Sequence, residues 1–111
     1  MRLTELEPKF LKIDGINFGS FRRIDSIDEA DGIIFICPVC FTANRGNVGS
    51  HSIICWRPKA PQAVNLTGPG RWEFTGTGYE DLTLVAESSS VLLRGGCNAH
   101  FFVRDGNIDL C

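Results

Sequence analysis

Two short motifs of the chain each hold a pair of metal-binding side chains separated by two residues. They are Cys37-Pro-Val-Cys40 and Cys97-Asn-Ala-His100. This spacing lets one tight turn direct both side chains of a pair at one ion, and three thiolates with one imidazole form a ligand set of closed, tetrahedral zinc sites. Each motif supplies half of such a site, so the fold has to bring the two halves together. We therefore predict one structural zinc ion bound by Cys37, Cys40, Cys97 and His100.

Three further residues are reserve ligands for the same ion, namely His51, Cys55 and Cys111. His51 and Cys55 lie four positions apart in a segment with strand character, so a strand would direct both side chains to one face. Three alternatives are open for His51 and Cys55. They replace a favoured ligand, or they form a second and weaker site. In the third alternative they bind no metal, Cys55 lies in the core and His51 is partly solvated. Cys111 is spare if the four favoured residues bind, and it then packs as a small apolar group or pairs between subunits on oxidation.

Other chemistry at these cysteines fits the sequence less well. The spacing of Cys37 and Cys40 is that of thioredoxin-like motifs, but redox chemistry places the first cysteine at a helix N-terminus, and residues 41–47 have loop composition. A zinc deaminase needs His-x-Glu ahead of Pro-Cys-x-x-Cys, and the sequence has no His-x-Glu. Four protein ligands would also close the metal to substrate. The sequence therefore favours a protein that is not an enzyme.

Size and composition indicate a single domain over residues 1–111. The hydrophobic share of 43%, the charged share of 22% and the net charge of −2 are ordinary for a soluble globular protein. The sequence has no signal-peptide core and no apolar run long enough to cross a membrane. We therefore expect a cytoplasmic protein, in which the reducing environment disfavours disulfides.

Strand patterns dominate the chain and predict a mainly β fold, either a small antiparallel β-sandwich or a partly open barrel, stapled by the zinc site. Residues 1–25 are expected to form an N-terminal strand or hairpin segment, and residues 30–111 the motif-bearing core. At most one short helix is expected, at residues 26–30, where Ser26 can cap it and acidic residues follow. Asp105-Gly106 predicts a tight C-terminal hairpin turn. The predicted strands cover residues 9–13 (at a sheet edge), 16–18, 32–36, 51–56, 71–75, 82–85, 89–93, 99–104 and 107–110.

The predicted core consists of nine apolar side chains: Ile33, Phe35, Ile54, Trp72, Leu82, Leu84, Leu92, Phe101 and Val103. A small open sheet leaves its edges unpaired, so we expect a monomer or a weak homodimer.

A proline- and glycine-rich stretch at residues 57–70 predicts an extended loop, and long loops in compact domains are often functional. Together with neighbouring side chains it forms the predicted interaction surface, which includes Trp56, Arg57, Lys59 and Arg71. The partner is either a protein or, as the alternative, nucleic acid bound through the basic and aromatic groups. The competing interpretation is a solvated mixed surface with both tryptophans in the core, which the acidic net charge favours over nucleic-acid binding.

Five segments carry a resemblance to a known group of proteins. They are Ala30-Asp-Gly-Ile-Ile-Phe-Ile-Cys-Pro-Val-Cys40, His51-Ser-Ile-Ile-Cys-Trp56, Arg71-Trp-Glu-Phe-Thr-Gly-Thr-Gly78, Asp81-Leu-Thr-Leu84 and Cys97-Asn-Ala-His-Phe-Phe-Val-Arg-Asp-Gly106. From about residue 30 onwards the chain resembles short uncharacterised proteins of bacteriophages and prophages. Such proteins often carry the automatic label "ammonia monooxygenase", which the residues do not support, because that chemistry belongs to membrane-bound copper enzymes.

The resemblance implies a phage or prophage origin, hence the cytoplasm of the host cell, and a metal-bearing β domain. The leading hypothesis for function is an accessory protein that binds a host or phage protein. A nucleic-acid-binding zinc module is the alternative, and a zinc-dependent hydrolase with one metal position open to water is the second alternative.

Overall fold

The computed structural model describes residues 1–13, 21–58, 71–85, 90–92 and 99–110. Within these ranges the chain is mainly β, with one short α-helix, so the predicted fold class is confirmed. A turn of 3-10 helix spans Leu3–Leu6, and the α-helix α1 spans Pro38–Asn44. The strands are β1 Lys9–Ile13, β2 Phe21–Ile24, β3 Gly32–Ile36, β4 Ser52–Trp56, β5 Glu73–Thr75, β6 Thr83–Val85, β7 Ser90–Leu92, β8 His100–Arg104 and β9 Asn107–Leu110.

The strands form three antiparallel sheets. One has four strands in the order β2-β1-β3-β4, one pairs β5 with β6, and one has the order β7-β8-β9. No closed barrel forms among the described strands. No helix in the described ranges is long and apolar enough to cross a membrane.

Two predictions made for residues 9–30 are wrong. Residues 27–29 form a turn, closed by the Ala30 amide on the Ile27 carbonyl at 3.3 Å, where a helix was predicted. One turn of helix costs more backbone entropy than its first hydrogen bond returns, so a good cap alone does not create one. In addition, β1 lies inside the four-stranded sheet between β2 and β3, although an edge position was predicted. Its hairpin partner was predicted at residues 16–18, which lie outside the described residues.

The main core lies between the sheets and contains most of the side chains predicted for it. Ile33, Phe35, Trp72, Leu82, Leu84, Phe101 and Val103 are all buried there. Phe35 of β3 meets Phe101 of β8 edge to face, with ring centroids 6.0 Å apart, and this contact joins the two larger sheets. The side chain of Leu92 lies outside the described part of the chain.

The prediction for Ile54 is wrong, because this side chain is only partly buried and lies on the other face of the sheet. Its neighbours on β4, Ile53 and Cys55, point into the main core. Ile54 packs with Ile13 and Ile34 against a second, smaller cluster formed by Leu11 and Trp56. The four-stranded sheet therefore has an apolar group on each face.

The C-terminal hairpin is held to the start of the chain. The Leu3 amide donates to the Gly106 carbonyl at 2.8 Å, and the Gly106 amide donates to the Leu82 carbonyl at 2.9 Å. The Arg2 guanidinium donates to the Asp105 carbonyl and to Asn107 Oδ1, at 3.1 and 2.8 Å. The turn between β8 and β9 is thus fixed to two distant segments.

Candidate metal centre

The register of the central sheet brings Cys37 and His51 together. β3 and β4 are antiparallel, with Ile36 opposite Ser52. The pairing continues one residue beyond the strands, where the Cys37 amide donates to the His51 carbonyl at 2.8 Å. Residues directly opposite each other in an antiparallel pair have Cβ atoms about 4.5–5.5 Å apart. The side chains of Cys37 and His51 can therefore meet at this end of the sheet.

Helix α1 adds Cys40 to the same place. Pro38 occupies the first helical position, where its fixed φ suits a helix and its missing amide proton costs nothing. The Phe41 amide donates to the Cys37 carbonyl at 2.9 Å and closes the first turn. Residues three apart lie on one side of a helical turn, so Cys40 faces back towards Cys37.

The segment from α1 to His51 is fixed by its own hydrogen bonds. Arg45 ends the helix in the left-handed conformation with φ of 56°, and the Gly46 amide then donates to the Phe41 carbonyl at 3.0 Å. Ser50 Oγ donates to the Gly46 carbonyl at 2.9 Å and accepts from Asn44 Nδ2 at 3.2 Å. These contacts set the point at which the chain returns to His51.

The result is a group of three metal-binding side chains, Cys37, Cys40 and His51, hereafter the metal-binding group. Their ligand atoms all lie within 4.8 Å of one another. Cys37 is fully buried, Cys40 is half-buried and His51 is exposed. Metal–ligand bonds of about 2.0–2.3 Å in a tetrahedron place ligand atoms roughly 3.5–3.8 Å apart, so small side-chain adjustments bring all three onto one ion.

The metal-binding group contains two of the four zinc ligands that the sequence favoured. Cys37 and Cys40 are together as predicted, and His51, a reserve ligand in the sequence, is the third member. Cys97 and Cys111 lie outside the described residues. His100 is exposed on β8, opposite Leu92, with its ring 6.5 Å from that of Phe102, and it is not a member of the group.

A signal for His51 was present in the sequence. The strands at residues 32–36 and 51–56 were both predicted, and each has a potential metal ligand at one end. Pairing the two strands as antiparallel neighbours puts the end of the first beside the start of the second, and so puts Cys37 beside His51. The position of His51 thus follows from the pairing of the strands. It does not follow from looking for pairs of ligands separated by two residues.

Cys55 belongs to the core and not to the metal-binding group. It is fully buried on β4 opposite Ile33. Burial alone raises the pKa of the Cys55 thiol, because the thiolate would lose its hydration. The interpretation of Cys55 as a core residue is therefore confirmed.

We expect Cys55 to resist alkylation in the folded protein. The thiolate is the reactive form, and a buried thiol with a raised pKa supplies almost none of it at pH 8. Iodoacetamide treatment followed by peptide mapping should leave Cys55 unmodified under native conditions and modify it fully in guanidinium chloride. Native modification at a rate close to that of the unfolded chain would show that Cys55 is accessible.

The structure also changes the argument about redox chemistry. Residues 38–44 are helical, so the loop predicted at residues 41–47 is wrong for residues 41–44, and Cys37 is the cap residue of α1. A redox nucleophile, however, has to reach its substrate, and reactive cysteines are partly exposed. Cys37 has no exposed surface, and His51 offers a third donor beside it. The arrangement is one that could hold a metal ion.

The predicted interaction surface is largely used for internal contacts. Trp56 is 1% exposed, so its ring is not offered to a partner and its assignment to a surface is wrong. The Arg57 guanidinium forms an ion pair with Glu73 and donates to the carbonyls of Ile27 and Ala30, and Arg71 donates to the Arg57 carbonyl at 2.8 Å. Lys59 lies outside the described residues.

Comparison with protein-family models, with curated proteins and with solved structures finds no match for this chain.

Proposed function

We propose that this protein is a small zinc-stabilised β module that binds other molecules and is not an enzyme. The observation that carries the proposal is the metal-binding group, in which Cys37, Cys40 and His51 converge at the end of the β3–β4 pair. Two thiolates and one imidazole suit zinc, whereas calcium and magnesium prefer oxygen donors. In a chain of 111 residues the hydrophobic core is modest, so a metal staple adds useful stability.

Cys97 is our candidate for the fourth ligand. It lies outside the described residues, so the support comes from chain reach. Phe101 contacts Phe35, which lies two positions before Cys37, and Cys97 lies four positions before Phe101. Four extended residues span about 13 Å, which is enough to reach the metal-binding group. Cys97 would be the third thiolate and the fourth protein ligand, and it would close the site to substrate and make the zinc structural.

The biological setting of the proposal rests on the resemblance of the segments around residues 30–40, 51–56 and 97–106 to phage and prophage proteins. An accessory protein of a phage or prophage, acting in the host cytoplasm, is the role we propose. Nucleic acid is the less favoured partner, because Arg57 and Arg71 are engaged in internal hydrogen bonds. A hydrolase would need a water in place of the fourth protein ligand.

Metal analysis tests the proposal directly. Protein purified under reducing conditions without added metal should contain about one zinc per chain by elemental analysis. Since zinc-binding energy is folding energy, removal of zinc by a strong chelator should lower the melting temperature by 10 °C or more, and added zinc should restore it. A metal-free protein whose melting temperature does not respond to zinc would overturn the structural role.

A further inference from the structure

A cavity of about 290 Å³ lies against the four-stranded sheet, and its lining includes Ser50 and Ser52, the two neighbours of His51 in the chain. Its lining comes from all four strands and from the segment that leads to His51. Ser52, which follows His51 directly, is part of one wall. Because most of the lining stands on hydrogen-bonded strands, the cavity is built on a rigid platform, as a binding site requires.

Two cations meet in this cavity, Lys9 from β1 and Arg23 from β2. Arg23 is opposite Leu11, and Lys9 lies two positions before Leu11 on the same strand. Side chains two positions apart on a strand share a face, so Lys9 and Arg23 are diagonal neighbours, about 7–8 Å apart at their α-carbons. The sheet register therefore places two like charges side by side.

Neither cation has a counter-ion within the described part of the chain. The side chains of Lys9 and Arg23 form no ion pair and no hydrogen bond there, whereas Lys12 reaches Asp31 at 3.9 Å and Arg57 binds Glu73. Like charges at this separation on one face of a sheet repel each other. An anion between Lys9 and Arg23 would relieve this repulsion and form charge-assisted hydrogen bonds with both.

The remaining lining indicates which anion fits. Glu7 stands at the cavity, with its Oε2 accepting from Asn47 Nδ2 at 3.2 Å. With Lys9, Arg23 and Glu7 the lining charges sum to +1, which favours a monoanion over a phosphate dianion. Ile34, half-buried and opposite Lys9, gives an apolar surface beside the charges.

We propose that this cavity binds a carboxylate with an apolar body. The carboxylate pairs with the Arg23 guanidinium, which matches its two oxygens in fork geometry. Lys9 is the second cation, the Ser52 hydroxyl is a neutral donor, and the apolar body of the ligand lies on Ile34. The carboxylate belongs either to a free aliphatic acid or to the C-terminus of a peptide, which share this chemistry. The site goes beyond the zinc-stabilised module proposed above, since none of these contacts uses the metal.

Titration of the zinc-containing protein, followed by two-dimensional amide NMR, tests the assignment. The probes are hexanoate, a short apolar peptide with a free C-terminus, the same peptide amidated, and inorganic phosphate, all at one ionic strength. Hexanoate or the free peptide should produce saturable shifts at residues 7, 9, 23, 34 and 50–52. Tighter binding of hexanoate assigns the site to small acids, and tighter binding of the free peptide assigns it to protein C-termini.

Two arginine variants make a matched comparison. Arg23→Gln should weaken the binding of the better carboxylate roughly tenfold, the loss expected for one charge-assisted contact. Arg22→Gln removes the same charge one position away, on the face of β2 away from the cavity, and should change affinity less than about twofold. The amide spectra of both variants show whether they are folded.

Three outcomes would overturn the proposal. If Arg23→Gln and Arg22→Gln weaken carboxylate binding equally, only general electrostatic attraction is present. Equal binding of the free and the amidated peptide, with no binding of hexanoate, would mean that the carboxylate is not recognised. Tighter binding of phosphate than of either carboxylate would assign a different class of ligand.

Discussion

Replacing His51 by glutamine is expected to lower the zinc affinity of the protein by about two orders of magnitude. Structural zinc sites in small domains bind with apparent free energies of about 10–16 kcal/mol. Removing one of four ligands therefore reduces the binding free energy of zinc by roughly 3 kcal/mol, which corresponds to about a hundredfold loss of affinity. Competition with a chromophoric chelator under reducing conditions measures the affinity, and thermal unfolding with and without zinc measures the accompanying loss of stability.

The chain offers its own control, because it contains only two histidines. His100 is exposed on β8 and is not a member of the metal-binding group. His100→Gln should therefore keep the zinc affinity and the melting temperature of the unmodified protein. If His100→Gln loses the zinc and His51→Gln keeps it, the ligand set predicted from the two motifs is right and His51 is not a ligand. If both variants keep one zinc per chain, the site contains no histidine ligand.

Local patterns were sufficient to predict most of the strands and two of the three residues of the metal-binding group. Strands β3 and β8 coincide with runs of β-branched and aromatic residues, and β9 alternates polar and apolar residues. The Asp105-Gly106 turn between β8 and β9 has the composition that a two-residue hairpin requires. Cys37 and Cys40 come together because two residues separate them, which is a property of the turn alone. Each of these features depends on neighbours within a few residues.

The features that were missed depend on pairing between distant segments. Residues 53–56 are apolar without alternation, so no pattern shows whether Ile53 or Ile54 faces the main core. Pairing with β3 decides it, since Ile53 lies opposite Phe35. The same pairing brings His51 to Cys37, and so the position of the third candidate ligand and the error at Ile54 have one cause.

Helix α1 was missed for a different reason. Its seven residues, Pro38–Asn44, are too few to show a helical period, and only Pro38 within it is fully buried. An isolated helix of this length is unstable in water, so its stability has to come from its surroundings. Its backbone is tied to β4 through the Cys37 amide and the His51 carbonyl. A metal ion shared by Cys37, Cys40 and His51 would add a second tie.

The second large effect is expected at Gly106, in the turn between β8 and β9. Asp105 and Gly106 both have positive φ, 49° and 73°, as a two-residue turn of this hand requires. A β-carbon at position 106 would collide with the Glu80 carbonyl oxygen and lie 3.0 Å from the Arg2 guanidinium. Gly106→Ala therefore adds left-handed strain, about 1–2 kcal/mol, to the displacement of two hydrogen-bonded segments.

We expect Gly106→Ala to lose roughly 3 kcal/mol of unfolding free energy, which corresponds to a fall in melting temperature of about 10 °C or more in a domain of this size. Gly78→Ala is the matched control, because a β-carbon there meets no atom within 4 Å, and it should change stability by less than about 0.5 kcal/mol. Denaturant titration of both variants at saturating zinc separates this effect from metal binding. Equal stability of the two variants would mean that the hairpin turn does not pack closely against residues 80–82. It would also mean that the contacts between the N-terminal residues and the C-terminal hairpin contribute little to stability.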